Sequence, residues 1–220
     1  MITAKVISAM AQHWKLPARH GDVPNAYVKA SAEEEFPIYI KTPQGMEIRD
    51  QVLKELGVNS TNEIILLLLQ SLYGLKQAGR LWNRLLSTKL TDLGLKQSIV
   101  EPCLFYRKDG REILLVGIYV DELLVTGTND DLVNKLFESL KILQIKDLGE
   151  VNKFLGTRII KHEEDYFLDQ EHLINDLLNQ YGMNDAKMTK APIDSGHLCD
   201  ESSPKLHDPK NFRSLAGSLL

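Results

Sequence analysis

The sequence predicts an α+β protein in which an antiparallel sheet is backed by helices. Three observations carry that expectation. Asp109-Gly110 stands between two apolar runs in CLFYRKDGREILLVGIYV, the residue pair that a tight two-residue hairpin favours. Gln77 to Leu95 places Leu81, Trp82, Leu85, Leu86, Leu90 and Leu93 on one stripe and stops at Gly94, which is a helix with its C-terminal cap. The whole chain then reads helix, strands, helix, hairpin, helix, hairpin, with no internal repeat, an order that suits an antiparallel sheet covered on one face.

Taken in order, residues 2–15 read as an amphipathic helix, with Ile2, Val6, Ile7, Met10 and Trp14 three and four residues apart. HGDVPNAYVKA follows, and Pro24 breaks regular pairing there, so Asp22 falls at a strand end where the chain turns. PIYIKTPQG (37–45) reads as a short strand closed by a Pro/Gly turn. EIILLLLQ (63–70) is continuously apolar and reads as a strand buried on both faces. After the 77–95 helix and the hairpin, Asn129 is placed to cap a helix from Asp130 to Leu143, with Leu132, Val133, Leu136, Phe137 and Leu140 turned inward. FLGTRIIKHEEDYFLDQ (154–170) reads as a hairpin with a charged tip, and EHLINDLLNQYG as a helix ending at Gly182. Met183 to Phe212 is polar and holds three prolines, so it reads as a loop or linker before the helical pattern of RSLAGSLL.

Composition narrows the class. Of 220 residues, 43% are hydrophobic and 25% charged, which suits a globular chain. The longest apolar runs fall far short of the roughly 20 residues that cross a bilayer. The N-terminus does not read as a secretory signal, and two cysteines, Cys103 and Cys199, are too few for a disulfide framework or a zinc site. The expectation is a cytoplasmic or nuclear protein with no membrane partner. A net charge of −4 argues against holding nucleic acid by bulk electrostatics alone. Local basic surface remains, in Lys76 to Arg84 and in Lys141, Lys146, Lys153, Arg158 and Lys161.

One feature resists a bland reading. In GIYVDELLVTG (117–127), Asp121 and Glu122 sit side by side inside an apolar run. Burying adjacent carboxylates without a cation costs several kcal/mol, so they mark either an exposed turn or a metal site.

The run LLLQSLYGLKQAGRLWNRLL (67–86) closely resembles the signature block of reverse transcriptases from copia-type retrotransposons. GDVPNAYVKA, IYIKTPQGM, GLKQSIVEPCLFYRKDG, IYVDELLVTGT, IKDLGEVNKFLGTRI and FRSLAGSLL match further blocks of that family in the same order, so the resemblance covers nearly the whole chain. It implies the polymerase palm over 1–182, and over 183–220 a linker with the start of a C-terminal thumb or connection segment. It implies RNA-directed DNA synthesis by two-metal nucleotidyl transfer, with two Mg²⁺ or Mn²⁺ ions as cofactors. The catalytic carboxylates would be Asp22, Asp121 and Glu122, and the metal ligands Asp22, Asp121 and the carbonyl of Val23. Tyr27 would stack under the incoming sugar. Lys76, Gln77, Arg80 and Tyr119 would contact nucleotide and template, and Lys146 would protonate the leaving pyrophosphate. The implied partners are an RNA or DNA template-primer and deoxynucleoside triphosphates. Fingers and RNase H portions, or another protein, would complete the assembly.

The chain departs from the family at four places. Glu122 stands where the turn has a second Asp, and the extra methylene moves the carboxylate by roughly an ångström, enough to cost about a hundredfold in rate. The fingers segment that precedes the first aspartate is not in the sequence. Gly21 and Pro24 flank Asp22 where an apolar residue and a lysine are usual, and no connection or RNase H domain follows. Two readings stay open: a truncated, weak or inactive polymerase domain, and a non-enzymatic relic of the palm that binds protein or nucleic acid.

Overall fold

The computed structural model describes residues 2–163, 165–190 and 207–219. The chain divides into two compact units, Met1–Leu168 and Asp169–Leu220. In the first, helix α1 (Ile2–Trp14) leads into β1 (Arg19–Asp22), and a 3-10 turn over Ala26–Lys29 follows. Next come β2 (Tyr39–Lys41), α2 (Asp50–Leu56), β3 (Ile65–Leu67) and α3 (Ala78–Asp92). Then β4 (Lys96–Gln97), β5 (Leu104–Asp109), β6 (Glu112–Tyr119) and β7 (Glu122–Gly127) run before α4 (Asp130–Leu140). Strands β8 (Lys146–Glu150), β9 (Lys153–Phe154), β10 (Thr157–Lys161) and β11 (Tyr166–Asp169) complete the β structure. The second unit holds α5 (Glu171–Gln180) and α6 (Pro209–Leu219).

The main sheet has six strands in the order β4-β5-β6-β7-β1-β8, each pair antiparallel. The β5–β6 hairpin forms where expected, but Asp109 pairs with Glu112, so its two turn residues are Gly110, at φ 56°, and Arg111, one residue beyond the expected Asp109-Gly110 pair. One sheet face carries Phe105, Leu114, Val116, Ile118, Leu123 and Val125. It is packed by Trp82, Leu86 and Leu90 of α3 and by Leu132, Val133, Leu136, Phe137 and Leu140 of α4. Helix α4 starts where the Asn129 side chain accepts from the Leu132 amide at 3.0 Å, and a 3-10 turn over Lys141–Leu143 extends it to the expected end.

Four expectations are corrected. The sheet is covered on both faces, because Leu115 and Leu124 pack with Ala4, Ile7 and Ala11 of α1 and with Phe154 and Ile159 beside the small β9–β10–β11 sheet. The expected apolar stripe of α1 is only partly the buried side: Ile7 is buried and Met10 and Trp14 pack against the same core, but Ile2 is 67% exposed and Val6 is exposed, and Thr3, Ala4, Ser8 and Ala11 fill the rest of the buried face. Close approach explains this. A Cβ on Gly117 of β6 would lie 2.6 Å from Thr3 Cγ2 and 2.8 Å from Ile7 Cδ1, so the helix rides directly on a glycine, with Thr3 and Ile7 occupying the space a side chain there would take.

The apolar run 63–70 is not a doubly buried strand. It forms β3, paired only with β2 in a separate two-stranded sheet, and Ile65, Leu67 and Leu69 are exposed. A short apolar run does not report how many neighbours it finds. The last correction lies in the second unit, where the helix starts at Pro209 rather than at Arg213. Asp208 accepts from the Lys210 amide at 2.9 Å, and proline at the first helical position needs no amide partner. Of the expected 183–212 linker, residues 191–206 lie outside the described residues, as does Cys199. Among the described residues no helix is long and apolar enough to cross a membrane.

Candidate active site

The β6–β7 hairpin closes with Tyr119 paired to Glu122, leaving Val120 and Asp121 as the two turn residues. Val120 has φ 53°, a left-handed conformation that a β-branched side chain adopts only under strain. Two backbone anchors hold the turn. The indole Nε1–H of Trp82 in α3 donates to the Val120 carbonyl, and the Val23 amide donates to the Asp121 carbonyl at 2.8 Å.

Strand β1 lies between β7 and β8, and its end carries the site. Asp22 is in register with Glu122 on one side and with Lys146 on the other. Cross-strand partners project to the same face, so Tyr119, Glu122, Asp22 and Lys146 form one row across four strands, with Asp121 at the adjoining tip. Beneath the row, Gly21 faces the opposite side. A Cβ there would lie 2.9 Å from Phe137 Cε1, so the phenyl ring of α4 fills the place of the side chain usual beside this aspartate. At the start of β1, Arg19 pairs with Asp147, donates to Asn134 and lies 5.1 Å over the Phe137 ring.

Glu122 is engaged elsewhere. Its Oε2 accepts from the Leu155 amide at 3.4 Å, and its Oε1 lies 3.9 Å from His20 Nε2, a buried nitrogen with no hydrogen-bond partner. Among the described residues no three His, Cys, Asp or Glu side chains are gathered to hold a metal ion. Two partly exposed aspartates fit a hard cation all the same, since Mg²⁺ is commonly held by one or two carboxylates with water and substrate phosphates.

The other expected residues cluster around the start of α3. Gln77 immediately precedes the helix and Lys76 is exposed. Arg80 is not a free cation: it pairs with Glu33 at 2.6 Å, on the rim of a groove of about 800 Å³ between the 30–36 segment and α3. Lys141 and Lys161 of the expected basic surface likewise pair with Glu138 and Glu150. Tyr27 is half-buried and its ring packs on Tyr73 with centroids 4.5 Å apart. Tyr73, Trp82 and His20 are contributors that sequence reasoning missed. No periodicity joins Tyr73 to Tyr27 or Trp82 to Val120, because one contact joins the segment before α3 to the 26–29 turn and the other joins α3 to the β6–β7 turn.

Compared with known protein families, residues 2–195 match reverse transcriptase (RNA-dependent DNA polymerase). The chain belongs to the reverse transcriptase family. It is 30% identical over 217 residues to the retrovirus-related Pol polyprotein from transposon RE2 of Arabidopsis thaliana, covering 98% of this chain and 14% of that protein. It is 31% identical over 203 residues to the putative transposon Ty5-1 protein of Saccharomyces cerevisiae, covering 90% and 62%. The Pol polyprotein from transposon TNT 1-94 of Nicotiana tabacum is 28% identical over 202 residues, covering 90% and 14%. The copia-type resemblance of the seven sequence blocks is thus borne out, and this reverse transcriptase chain spans a small part of the Pol polyproteins it matches.

Proposed function

We propose that this chain carries the nucleotidyl-transfer site of an RNA-directed DNA polymerase, on a palm whose metal ligands are Asp22 and Asp121. The observation that carries the reading is the row Tyr119–Glu122–Asp22–Lys146 beside the Asp121 turn, in a chain of this family. Two Mg²⁺ or Mn²⁺ ions, when bound, would neutralise charge on the attacking 3′-hydroxyl and the leaving phosphate oxygens.

The chain's own residues divide the remaining work. Asp22 and Asp121 present carboxylate oxygens, and the Val23 carbonyl adds a neutral ligand. Tyr27, its ring backed by Tyr73, offers a flat surface to the incoming sugar and leaves no room for a 2′-hydroxyl. Lys76, Gln77 and Arg80 direct donors from the start of α3 toward triphosphate and template, with Arg80 first released from Glu33. Tyr119 lies against the primer end, and Lys146, in register with Asp22, gives a proton to the leaving pyrophosphate. The substrates are deoxynucleoside triphosphates and an RNA or DNA template-primer, met in the cytoplasm or nucleus.

A second reading is favoured by one observation. The Glu122 carboxylate accepts from the Leu155 amide, which suits a palm scaffold kept for binding protein or nucleic acid without catalysis. Primer extension on an RNA template, with Mg²⁺ and then Mn²⁺, separates the two. Extension that disappears in Asp121→Asn supports the polymerase. Extension only in Glu122→Asp places the defect at that residue. No extension in any variant supports the scaffold.

A further inference from the structure

We infer that Trp82 is a positioning residue for the Asp121 carboxylate, acting through the strained backbone of Val120. Trp82 is 1% exposed, so its indole N–H must find a partner inside the protein, and the partner is the Val120 carbonyl. Val120 itself is 44% exposed, so burial of its side chain does not hold it at φ 53°. A valine left free in a two-residue turn relaxes away from the left-handed region, because its branched side chain crowds the backbone there. Trp82 opposes that relaxation from the second turn of α3, while Val23 grips the next carbonyl from the segment after Asp22. The direction in which Asp121 leaves the turn is thereby set by a helix and by the strand that carries the other aspartate. The device rests on the proposed metal role of Asp121 for its purpose, but its mechanical content stands apart from that role.

The test uses Trp82→Phe, which keeps an aromatic ring in the core and removes the N–H. Val120→Gly is the second variant, since glycine takes positive φ without strain. Two readouts are needed: hydrogen exchange of the Val23 amide, which is bonded to the Asp121 carbonyl, and Mn²⁺ binding by water-proton relaxation. Trp82→Phe is expected to speed Val23 exchange roughly tenfold while the Val116 and Leu124 amides keep their rates, and to weaken Mn²⁺ several-fold. In the Val120→Gly background the same substitution should change both by less than about twofold. Unchanged Val23 exchange in Trp82→Phe overturns the inference. So does a uniform rise across the sheet, which marks a packing role alone. If the unaltered protein binds no Mn²⁺, or Asp121→Asn binds it equally, the metal reading fails and Val23 exchange alone decides the role of Trp82.

Discussion

Asp22 stands directly opposite Glu122 in the pairing of β1 with β7, two carboxylates on one face of a sheet. Directly opposed side chains have Cβ atoms about 5 Å apart, and like charges at that spacing destabilise the pairing. Lys146, in register with Asp22 from β8, offsets part of the repulsion. Glu122→Gln removes the charge and keeps an oxygen for the Leu155 amide. It is expected to raise stability by about 0.3–1 kcal/mol at low ionic strength, with the gain shrinking in 1 M salt. Urea denaturation at the two salt levels measures this. A loss of stability would show that His20 depends on the Glu122 charge.

Gly21→Ala tests the other side of the same strand. The added Cβ would meet Phe137 Cε1 at 2.9 Å, Leu123 Cβ at 3.3 Å and Ile145 Cγ2 at 3.4 Å, in a region with no solvent to give way. Overpacking of this kind costs about 1–3 kcal/mol. Phe137→Leu in the same chain should recover part of the loss, because it removes the ring edge in closest contact. Additive losses in a double-mutant cycle would rule out Phe137 as the obstacle.

How much of this was legible follows from the range of each interaction. The α3 stripe, the β5–β6 hairpin (to within one residue of its turn) and the Asn129 cap were read correctly because each depends on residues within one or two turns of chain. Strand β8 and the pairing of β1 between β7 and β8 were missed, since Lys146 and Asp22 carry no local sign that they will meet. Helix α1 was read correctly as a helix, and Ile7, Met10 and Trp14 of its stripe do face the core, but Ile2 and Val6 do not, because what sets its buried side is Gly117 on a distant strand. At the site, the family blocks marked Asp22 and Asp121, and the register of β1 and β7 adds that Glu122 lies opposite the first of them. The hydrogen bond from the Leu155 amide to Glu122 was invisible, for it needs the β9–β10 turn to be folded against β7.

Cys103 provides a pH prediction away from the site. Partial burial pushes its thiol above the usual value, and the Glu101 charge and its hydrogen bond push the same way. A raised thiol pKa means less thiolate at pH 8, so alkylation should be slower than for a small free thiol and should climb as pH rises past the ordinary thiol range. Glu101→Gln should speed the reaction a few-fold by removing one cause, while burial keeps it below the free-thiol rate. The measurement is iodoacetamide labelling from pH 7 to 10 in a Cys199→Ser background. A rate equal to that of the free thiol at every pH would contradict the raised pKa.

Glu122→Asp should trade stability for access to a cation. The shorter side chain withdraws by roughly an ångström from the Leu155 amide, already at 3.4 Å, and from His20 Nε2 at 3.9 Å. Leu155 has φ 51°, so the turn that loses this bond is itself strained, and Gly156 beside it offers no side chain to hold it. The expected loss is about 0.5–1.5 kcal/mol, the net range for an ordinary hydrogen bond, since this one to a carboxylate is long. Faster amide exchange should be confined to residues 153–158. The freed carboxylate, shortened and still opposite Asp22, becomes available beside Asp121, so Mn²⁺ affinity should rise as the turn loosens. Stability and metal affinity moving in opposite directions identify Glu122 as a residue that holds the hairpin against the β9–β10 turn at the expense of the metal site. If exchange over 153–158 is unchanged, the bond to Leu155 does not restrain that turn. If the turn loosens with no gain in Mn²⁺ binding, the engagement of Glu122 is not what keeps three carboxylates from gathering.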